Sequence, residues 1–169
     1  IEKPISDNQK GLEELNCKAI KNNCVLAVGY NLRFLPSLMK FKNLIDKNLI
    51  GNAYSVRSEV GQYLPNWRKT DYRDSVSAKK ILGGGVLLEL SHELDYAQWL
   101  FGEIKIEYSK SKKLSNLKIN TDDFLSFVGK TKKVSSIQIT LDYFTREPKR
   151  QILINGKNIS LFADLIKKQ

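Results

Sequence analysis

The sequence predicts an α+β fold, in which a small part of a parallel α/β layer precedes an open, mostly antiparallel sheet packed with helices. Before Gly102, apolar residues recur at helical spacing around one short, wholly apolar segment that is typical of a buried strand. After Gly102, apolar and polar residues alternate with a period of two. The turn sequences GKTKK and NGK separate the later segments and favour antiparallel hairpins.

The first elements are a helix and a strand. Ser6 or Asp7 can cap a helix that runs to about Asn22. The segment CVLAVGY, residues 24–30, is then wholly apolar apart from its last residue, which is typical of a strand inside a parallel sheet. A helix followed by a buried strand predicts one unit of an α/β layer.

The next elements are a helix, a strand and a long loop. Pro36 suits the first turn of a helix that Gly51 ends, and residues 53–63 alternate as a half-exposed strand. Residues 64–82 are polar and are predicted to form a loop. The apolar face of the helix consists of Leu38, Phe41, Leu44, Ile45 and Leu49.

Three consecutive glycines then open a helix from about Val86 to Phe101. They allow either close backbone approach at an anion-binding helix start or a plain tight turn. Four alternating segments after Gly102 predict four strands, EIKIEYS, DDFLSFVGK, VSSIQITLDYF and KRQILINGKN. The apolar stripe of the helix consists of Leu87, Leu90, Leu94, Ala97 and Phe101.

Composition limits the class of protein. The chain has 169 residues, of which 41% are hydrophobic and 27% charged, as in ordinary soluble domains. No apolar run approaches the roughly 20 residues of a membrane span, and no signal peptide is present, so we expect a cytoplasmic protein without a membrane partner. Cys17 and Cys24 with one histidine exclude a standard zinc site built from this chain alone, and we expect no metal. Cys24 is expected in the core.

The net charge of +10 raises the question of nucleic-acid binding. The lysines are scattered over predicted helix ends and turns, and no RNA-binding motif with interleaved aromatic residues is found. We therefore expect no nucleic-acid partner. Attraction of a phosphorylated or nucleotide-linked substrate stays open.

His92, the only histidine, is the first candidate catalytic residue. On one continuous helix it would lie on the polar side with Glu89, Tyr96 and Trp99, close to a carboxylate that can orient the ring. An imidazole suits proton transfer near neutral pH. Periodicity alone leaves two alternatives, a proton-transfer group and an ordinary imidazole on a helix surface.

Four segments together resemble the glucose–fructose oxidoreductase / inositol dehydrogenase (Gfo/Idh/MocA) family. In chain order they are EKPIS, GYNLRF.P, GQYLPNWR and GGGVLLELSHELDYAQWLFG. The resemblance covers roughly residues 1–102, and the remainder in pattern only. It implies that residues 1–30 are the last part of an N-terminal, dinucleotide-binding Rossmann domain. Residues 31–169 would be an incomplete C-terminal domain for substrate binding and oligomerisation.

The dinucleotide-binding motif G-x-G-x-x-G is not found in the sequence. We therefore expect a piece of a longer protein, which binds NAD or NADP mainly through the missing N-terminal domain. By resemblance, the whole is an NAD(P)-dependent oxidoreductase acting on a CH–OH group of a sugar or sugar derivative, nucleotide-linked sugars included. The expected partners are that small molecule and further copies of the chain, joined through the open sheet, for example as a dimer. The alternative is a non-catalytic binding or oligomerisation module with the same fold.

The resemblance also implies roles for individual residues. Lys3 and His92 would handle the hydroxyl proton, while the cofactor takes the hydride. Glu89 stands at the family's acidic position, although the family commonly has an aspartate four residues before the histidine rather than a glutamate three before it. Asp95 is either a substrate-binding carboxylate or a surface one, and Arg33 is either structural or close to the cofactor. The cofactor contacts implied are Glu2, Lys3, Pro4, Trp67 and Arg68, and the substrate contacts are Lys3, His92 and Asp95.

Overall fold

The computed structural model describes residues 1–167 and has a six-stranded mixed sheet with helices on one face. The predicted α+β class is confirmed. The strand order is β2-β3-β4-β1-β5-β6. The helices are α1 (Leu12–Lys21), α2 (Pro36–Asp46), α3 (Val86–Glu89) and α4 (His92–Phe101). The strands are β1 (Ala53–Gly61), β2 (Lys105–Lys112), β3 (Phe124–Lys130), β4 (Val134–Asp142), β5 (Lys149–Gly156) and β6 (Ser160–Asp164).

Strand β1 lies near the centre of the sheet and pairs parallel with β4 and antiparallel with β5. The remaining pairs, β2–β3, β3–β4 and β5–β6, are antiparallel. Both predicted hairpin turns are present, GKTKK between β3 and β4 and NGK between β5 and β6. The alternating segments thus predicted β1 to β5, whereas β6 was not predicted.

One face of the sheet forms the core beneath α2, α3 and α4. Alternate side chains of the strands point to this face because successive strand residues point to opposite sides. The strands contribute Val56, Val60, Leu125, Phe127, Ile137, Ile139, Leu141, Ile152, Ile154 and Ala163. The helices contribute Leu38, Phe41, Val86, Tyr96, Ala97, Leu100 and Phe101. The Tyr96 hydroxyl reaches Ser58 on β1 at 2.6 Å, which ties α4 to the central strand.

The predicted buried strand at residues 24–30 is wrong. The segment is extended but belongs to no sheet, Val25 is 94% exposed, and Cys24 is exposed rather than in the core. A strand is stable only when neighbouring strands satisfy its backbone groups. Here Ile1 supplies two such bonds, since its ammonium donates to the Ala27 carbonyl at 2.9 Å and its carbonyl accepts from the Gly29 amide at 2.8 Å.

Two predicted helix ends also differ from the structure. Helix α1 starts at Leu12 after Gly11, because Ser6 instead accepts from the Asn8 amide in a local turn. Helix α2 ends at Asp46, five residues before Gly51.

The predicted single helix from Val86 to Phe101 is broken at Leu90 and Ser91, where Leu90 has φ −106° and ψ 28°. The break rotates α3 relative to α4, so the predicted stripe is not continuous and Leu87 is 41% exposed. The consequence is that residues 86–89 and 92–101 present different faces to the sheet. Among residues 1–167, no helix combines the length and the apolarity that crossing a bilayer demands.

Candidate active site

Lys3 reaches across the molecule to the end of α3. Its ammonium donates to the backbone carbonyl of Glu89 at 2.5 Å, so two residues separated by 86 positions meet. Together with Pro4, Asp7 and Gly83 they line an open cleft of about 440 Å³. The structure therefore brings Lys3, Pro4 and Glu89 together, while Glu2 is exposed.

The carboxylate of Glu89 points to Ser77 and not to His92. It accepts from the Ser77 hydroxyl at 2.7 Å. The prediction that one helix presents Glu89, His92, Tyr96 and Trp99 on a polar face is wrong, because the break at Leu90 separates the first two and Tyr96 is fully buried. His92 is thus free of the predicted carboxylate partner in the part of the chain that the structure describes.

His92 opens α4 and packs edge-to-face on Tyr30, with the ring centroids 5.6 Å apart and an interplanar angle of 84°. Burial lowers the pKa of His92 to about 4, and the positive charges of Arg150 and Lys3 act in the same direction against the charge of Asp95. Its Nδ1 is buried and has no hydrogen-bond partner among the described residues. The imidazole is consequently neutral at neutral pH.

A buried ion pair next to His92 was missed by sequence reasoning. Glu93 is fully buried, and Arg150 on β5 donates from Nε to its Oε1 at 2.8 Å. Burial raises the pKa of Glu93 to about 6, although Arg150 opposes the shift. The only sequence signal was a charged residue that interrupts the apolar positions between Leu90 and Ala97 of the helix.

Asp95 is held by Arg33 from the turn that follows residue 30. The guanidinium makes two bonds to the carboxylate, Nε to Oδ2 at 2.7 Å and Nη2 to Oδ1 at 2.5 Å, and this bonding raises the pKa of Arg33. This pair joins residues 31–34 to α4, which gives Arg33 a structural contact. Asp95 is oriented by this pair and lies close enough to His92 to raise its pKa.

Trp67 and Arg68 lie in the loop that follows β1. The Trp67 ring packs edge-to-face on Tyr143 at 5.3 Å, and Tyr143 lies beside Glu89, whose charge together with burial raises the tyrosine pKa. Arg68 is exposed. Trp67 thus packs on Tyr143, which lies beside Glu89. Neither Trp67 nor Arg68 lines the cleft that contains Lys3.

The three glycines form a tight turn. A Cβ on Gly84 would lie 2.0 Å from the Val76 carbonyl oxygen, and Gly83 and Gly85 have φ of 76° and 124°. The turn packs α3 against the segment that carries Ser77. In residues 1–167, no group of three or more histidine, cysteine, aspartate or glutamate side chains is arranged to hold a metal ion.

Comparison with known families finds one matching model. The model described as the GFO/IDH/MocA C-terminal domain matches residues 38–162. Oxidoreductase P35 of Formosa agariphila is 28% identical over 115 residues, which are 62% of this chain and 33% of that protein. Trans-1,2-dihydrobenzene-1,2-diol dehydrogenase of Xenopus tropicalis is 30% identical over 89 residues, which are 53% of this chain and 25% of that protein. The chain thus spans a quarter to a third of the length of these curated relatives.

Solved structures share the fold over nearly the whole chain. GenD2 from gentamicin A biosynthesis, in complex with NAD, has a TM-score of 0.82 at 20% identity over 96% of this chain and 46% of its own. The WlbA dehydrogenase from Bordetella pertussis, in complex with NADH and UDP-GlcNAcA, has a TM-score of 0.81 at 20% identity, covering 96% and 47%. Levoglucosan dehydrogenase in complex with NADH has a TM-score of 0.82 at 20% identity, covering 99% and 47%.

Proposed function

This chain belongs to the Gfo/Idh/MocA family of oxidoreductases and dehydrogenases, and from that premise we propose that it forms part of an NAD(P)-dependent enzyme. The enzyme would oxidise a CH–OH group of a sugar or sugar derivative. Relatives of the same fold were solved with NAD or NADH, and one of them with the sugar nucleotide UDP-GlcNAcA.

One observation supports this proposal most directly, namely that Lys3 contacts the end of α3 and lies close enough to His92 for its charge to affect the pKa of the imidazole. The Lys3 ammonium is bonded to the Glu89 carbonyl, and its charge helps to lower the pKa of His92. A cation beside a neutral imidazole is the combination that removes a hydroxyl proton, because the cation stabilises the developing oxyanion and the imidazole accepts the proton.

The roles follow from the contacts of each residue. Lys3 would polarise the substrate oxygen, and His92 would accept the proton at Nε2, since Nδ1 is buried. Asp95, oriented by Arg33, would stabilise the protonated imidazole. The nicotinamide cofactor, when bound, takes the hydride.

The residues present fit such a cofactor on two sides. Lys3 and Pro4 line the open cleft, with Glu2 exposed beside them, and Trp67 has a buried indole N–H without an acceptor among the described residues. By resemblance, Arg68 would add a guanidinium for a phosphate. We propose these residues as the contribution of this chain to the cofactor site.

Residues 1–30 are proposed as the last part of the dinucleotide-binding domain and residues 31–169 as the C-terminal domain. Two observations support this division. Helix α1 buries none of its residues, and Ile1 makes the hydrogen bonds of one parallel strand bridge with residues 27–29. Both are expected of a segment whose packing partners lie elsewhere.

A second candidate function is a non-catalytic oligomerisation module. It is favoured by the second face of the sheet, which no helix covers in the described part of the chain. Oligomerisation is compatible with catalysis, and we propose a homo-oligomer in both cases. Two exposed free thiols, Cys17 and Cys24, are the basis for proposing a reducing, cytoplasmic location.

The test uses the full-length gene product and reduction of NAD or NADP with a panel of sugars. We expect His92→Ala to lower kcat by roughly 10²–10⁴-fold, with little change in cofactor affinity. Lys3→Ala should be comparably impaired, and the double variant should lose less than the product of both effects. Gln98→Ala, at an exposed position of the same helix, is the control and should leave kcat unchanged.

Near-normal turnover of His92→Ala would show that the imidazole is not needed for proton transfer, and this would contradict the proposed mechanism. The absence of turnover with every sugar, combined with retained self-association, would favour the module.

A further inference from the structure

A buried ion pair fastens the first turn of α4 to β5, at the residue that follows His92. Arg150 donates from Nε to Oε1 of Glu93 at 2.8 Å. Glu93 is fully buried, and only 19% of the Arg150 side chain is exposed. The backbone of Arg150 is also held, since it lies opposite Val60 on β1 and its carbonyl accepts from the Leu165 amide at 2.7 Å. The guanidinium therefore has a fixed position near the imidazole.

The stability of the fold does not explain this pair. Moving two charges out of water costs free energy, and an apolar pair of similar volume often joins two elements equally well or better. The second carboxylate oxygen of Glu93, Oε2, is buried and has no hydrogen-bond partner among residues 1–167. A buried polar atom without a partner adds to the cost. A costly buried charge next to a candidate base points to a role in the reaction.

Arg150 acts on His92 through its charge. The guanidinium lies close enough to the imidazole to lower its pKa, in the same direction as burial does. Charges at a partly buried site are screened much less than charges in water. Glu93 offsets this effect only while it is ionised, and burial raises its pKa to about 6. Because the pKa of His92 is about 4, Glu93 takes up its proton first on acidification and leaves the charge of Arg150 unopposed.

The other charged or titratable groups around His92 come from three further segments. Lys3, which precedes α1, also lowers the pKa of the imidazole, whereas Asp95 on α4 raises it. Asp95 is bonded to Arg33, and the ring of Tyr30 packs against the imidazole. In the proposed reaction the charge of Lys3 stabilises the oxyanion of the substrate. The guanidinium on β5 is thus the cation of this group that the chemical step does not use.

We propose that Arg150 is a positioning residue of the proposed reaction, fixed by Glu93 so that its positive charge keeps the imidazole of His92 neutral. This inference rests on the proposed oxidoreductase function. Neither residue of the pair needs to contact the substrate. A base must be unprotonated to act, so the pair extends towards acidic values the pH range over which His92 is available.

The test is a titration of the His92 imidazole by proton–nitrogen correlation NMR. It uses the full-length gene product with labelled histidine, and His92→Gln identifies the resonance. Arg150→Met removes the charge at similar side-chain length, so the pKa of His92 should rise from about 4 towards its ordinary 6.5. Arg150→Lys keeps the charge and should keep the pKa low. Arg57→Gln removes a positive charge from an exposed position of β1 and is the matched control, which should titrate as the wild type does.

Glu93→Gln separates the effect of charge from that of packing. It removes the carboxylate but retains an oxygen that can accept from Arg150, so the pKa of His92 should stay at about 4 or fall further. If the pair only shielded the imidazole from water, Glu93→Gln and Arg150→Met would both raise the pKa, and this result would overturn the proposal. An unchanged pKa in Arg150→Met, or an equal rise in Arg150→Lys, would overturn it as well. Should Arg150→Met not fold, the double variant Glu93→Gln/Arg150→Gln removes both charges, retains a polar pair and should show the same rise.

The pH profile of kcat/KM, measured on the same full-length protein, separates this inference from the proposed function. With His92 as the base, the acidic limb of the profile should move to higher pH in Arg150→Met and stay in place in Arg150→Lys. A raised imidazole pKa with an unmoved limb would support the effect of Arg150 on His92 and contradict the assignment of His92 as the base. An unchanged pKa with turnover that still depends on His92 would overturn the inference and leave the oxidoreductase in place.

Discussion

Charged groups from three separate elements surround His92. Lys3 precedes α1, Asp95 lies one turn later on α4, and Arg150 comes from β5, where it is paired with the buried Glu93. The two cations and burial together exceed the opposing effect of Asp95, so the imidazole is neutral. A neutral imidazole is the form that a base requires, and the surroundings provide it without a substrate.

The pH dependence of the free energy of unfolding should reflect the lowered pKa of His92. The pKa of His92 is about 4 in the folded chain and 6.5 ordinarily, so between these values the unfolded chain binds more protons. The free energy of unfolding should therefore fall as pH is lowered through this range, and the contribution is fully present above it. His92→Gln lacks the titration, so the difference in unfolding free energy between wild type and variant should shrink on acidification.

Urea unfolding of both proteins at a series of pH values measures that difference. Glu93, whose folded pKa of about 6 lies above its ordinary 4.5, has the opposite sign, since it loses stability as pH rises between those values. It is present in both proteins and largely cancels in the comparison. A difference that is independent of pH would contradict the lowered pKa of His92.

Glu89→Gln tests whether the carboxylate of Glu89 takes part in catalysis. Lys3 is bonded to the backbone carbonyl of this residue, and a glutamine oxygen still accepts from Ser77. We therefore expect kcat to fall by less than about tenfold, against the larger loss expected for a general base such as His92. Steady-state kinetics of both variants in one assay makes the comparison. A loss as large as that of His92→Ala would make the carboxylate itself catalytic.

At the scale of single residues, the sequence predicted some of the candidate site residues and missed others. Lys3 and His92 stand in segments that resemble a family, so their proximity was expected. The pairing of Glu93 with Arg150 joins residues 57 positions apart, and no local pattern encodes such a contact. Ser77 as the partner of Glu89 depends on the glycine turn, whose path is not visible in periodicity.

At the scale of elements, strands such as β3 and β4 were predictable because their residues alternate between a buried and an uncovered face of the sheet. The segment 24–30 shows the limit of that reasoning, since apolar residues indicate a buried strand only where neighbouring strands exist. The break between α3 and α4 was not predictable for another reason. Leu90 and Ser91 include neither proline nor glycine, so the change of direction is imposed by packing.

The glycine turn before α3 yields an element-scale prediction. Gly84→Ala places a methyl group 2.0 Å from a backbone oxygen that cannot rotate away, so the turn must shift. We expect a loss of about 1–3 kcal/mol in the free energy of unfolding. Gly29→Ala is the control, because its Cβ would lie 3.4 Å from the nearest atom and the change should stay within about 0.5 kcal/mol. Equal losses measured by urea unfolding would show that the turn adapts freely.

At the scale of the whole molecule, the two faces of the sheet differ in cover. Helices bury one face, whereas the other presents a row of side chains that runs across all six strands. The row consists of Tyr108, Val128, Gln138, Arg57, Leu153 and Phe162. Four of these six side chains are apolar or aromatic, and Tyr108 and Phe162 are more than half exposed.

This uncovered face should mediate self-association. Six strands of about eight residues make a surface of roughly 25 by 25 Å, about 600 Å², which approaches the roughly 800 Å² that each partner buries in a standard interface. Leu153→Arg introduces a charge into the middle of the row and should shift sedimentation velocity profiles towards the monomer. Leu87→Arg adds the same group at an exposed site on the helical side and should leave association intact. A wild-type chain that sediments only as a monomer at high concentration would contradict the prediction, because the apolar side chains of the row would then tolerate water without a partner.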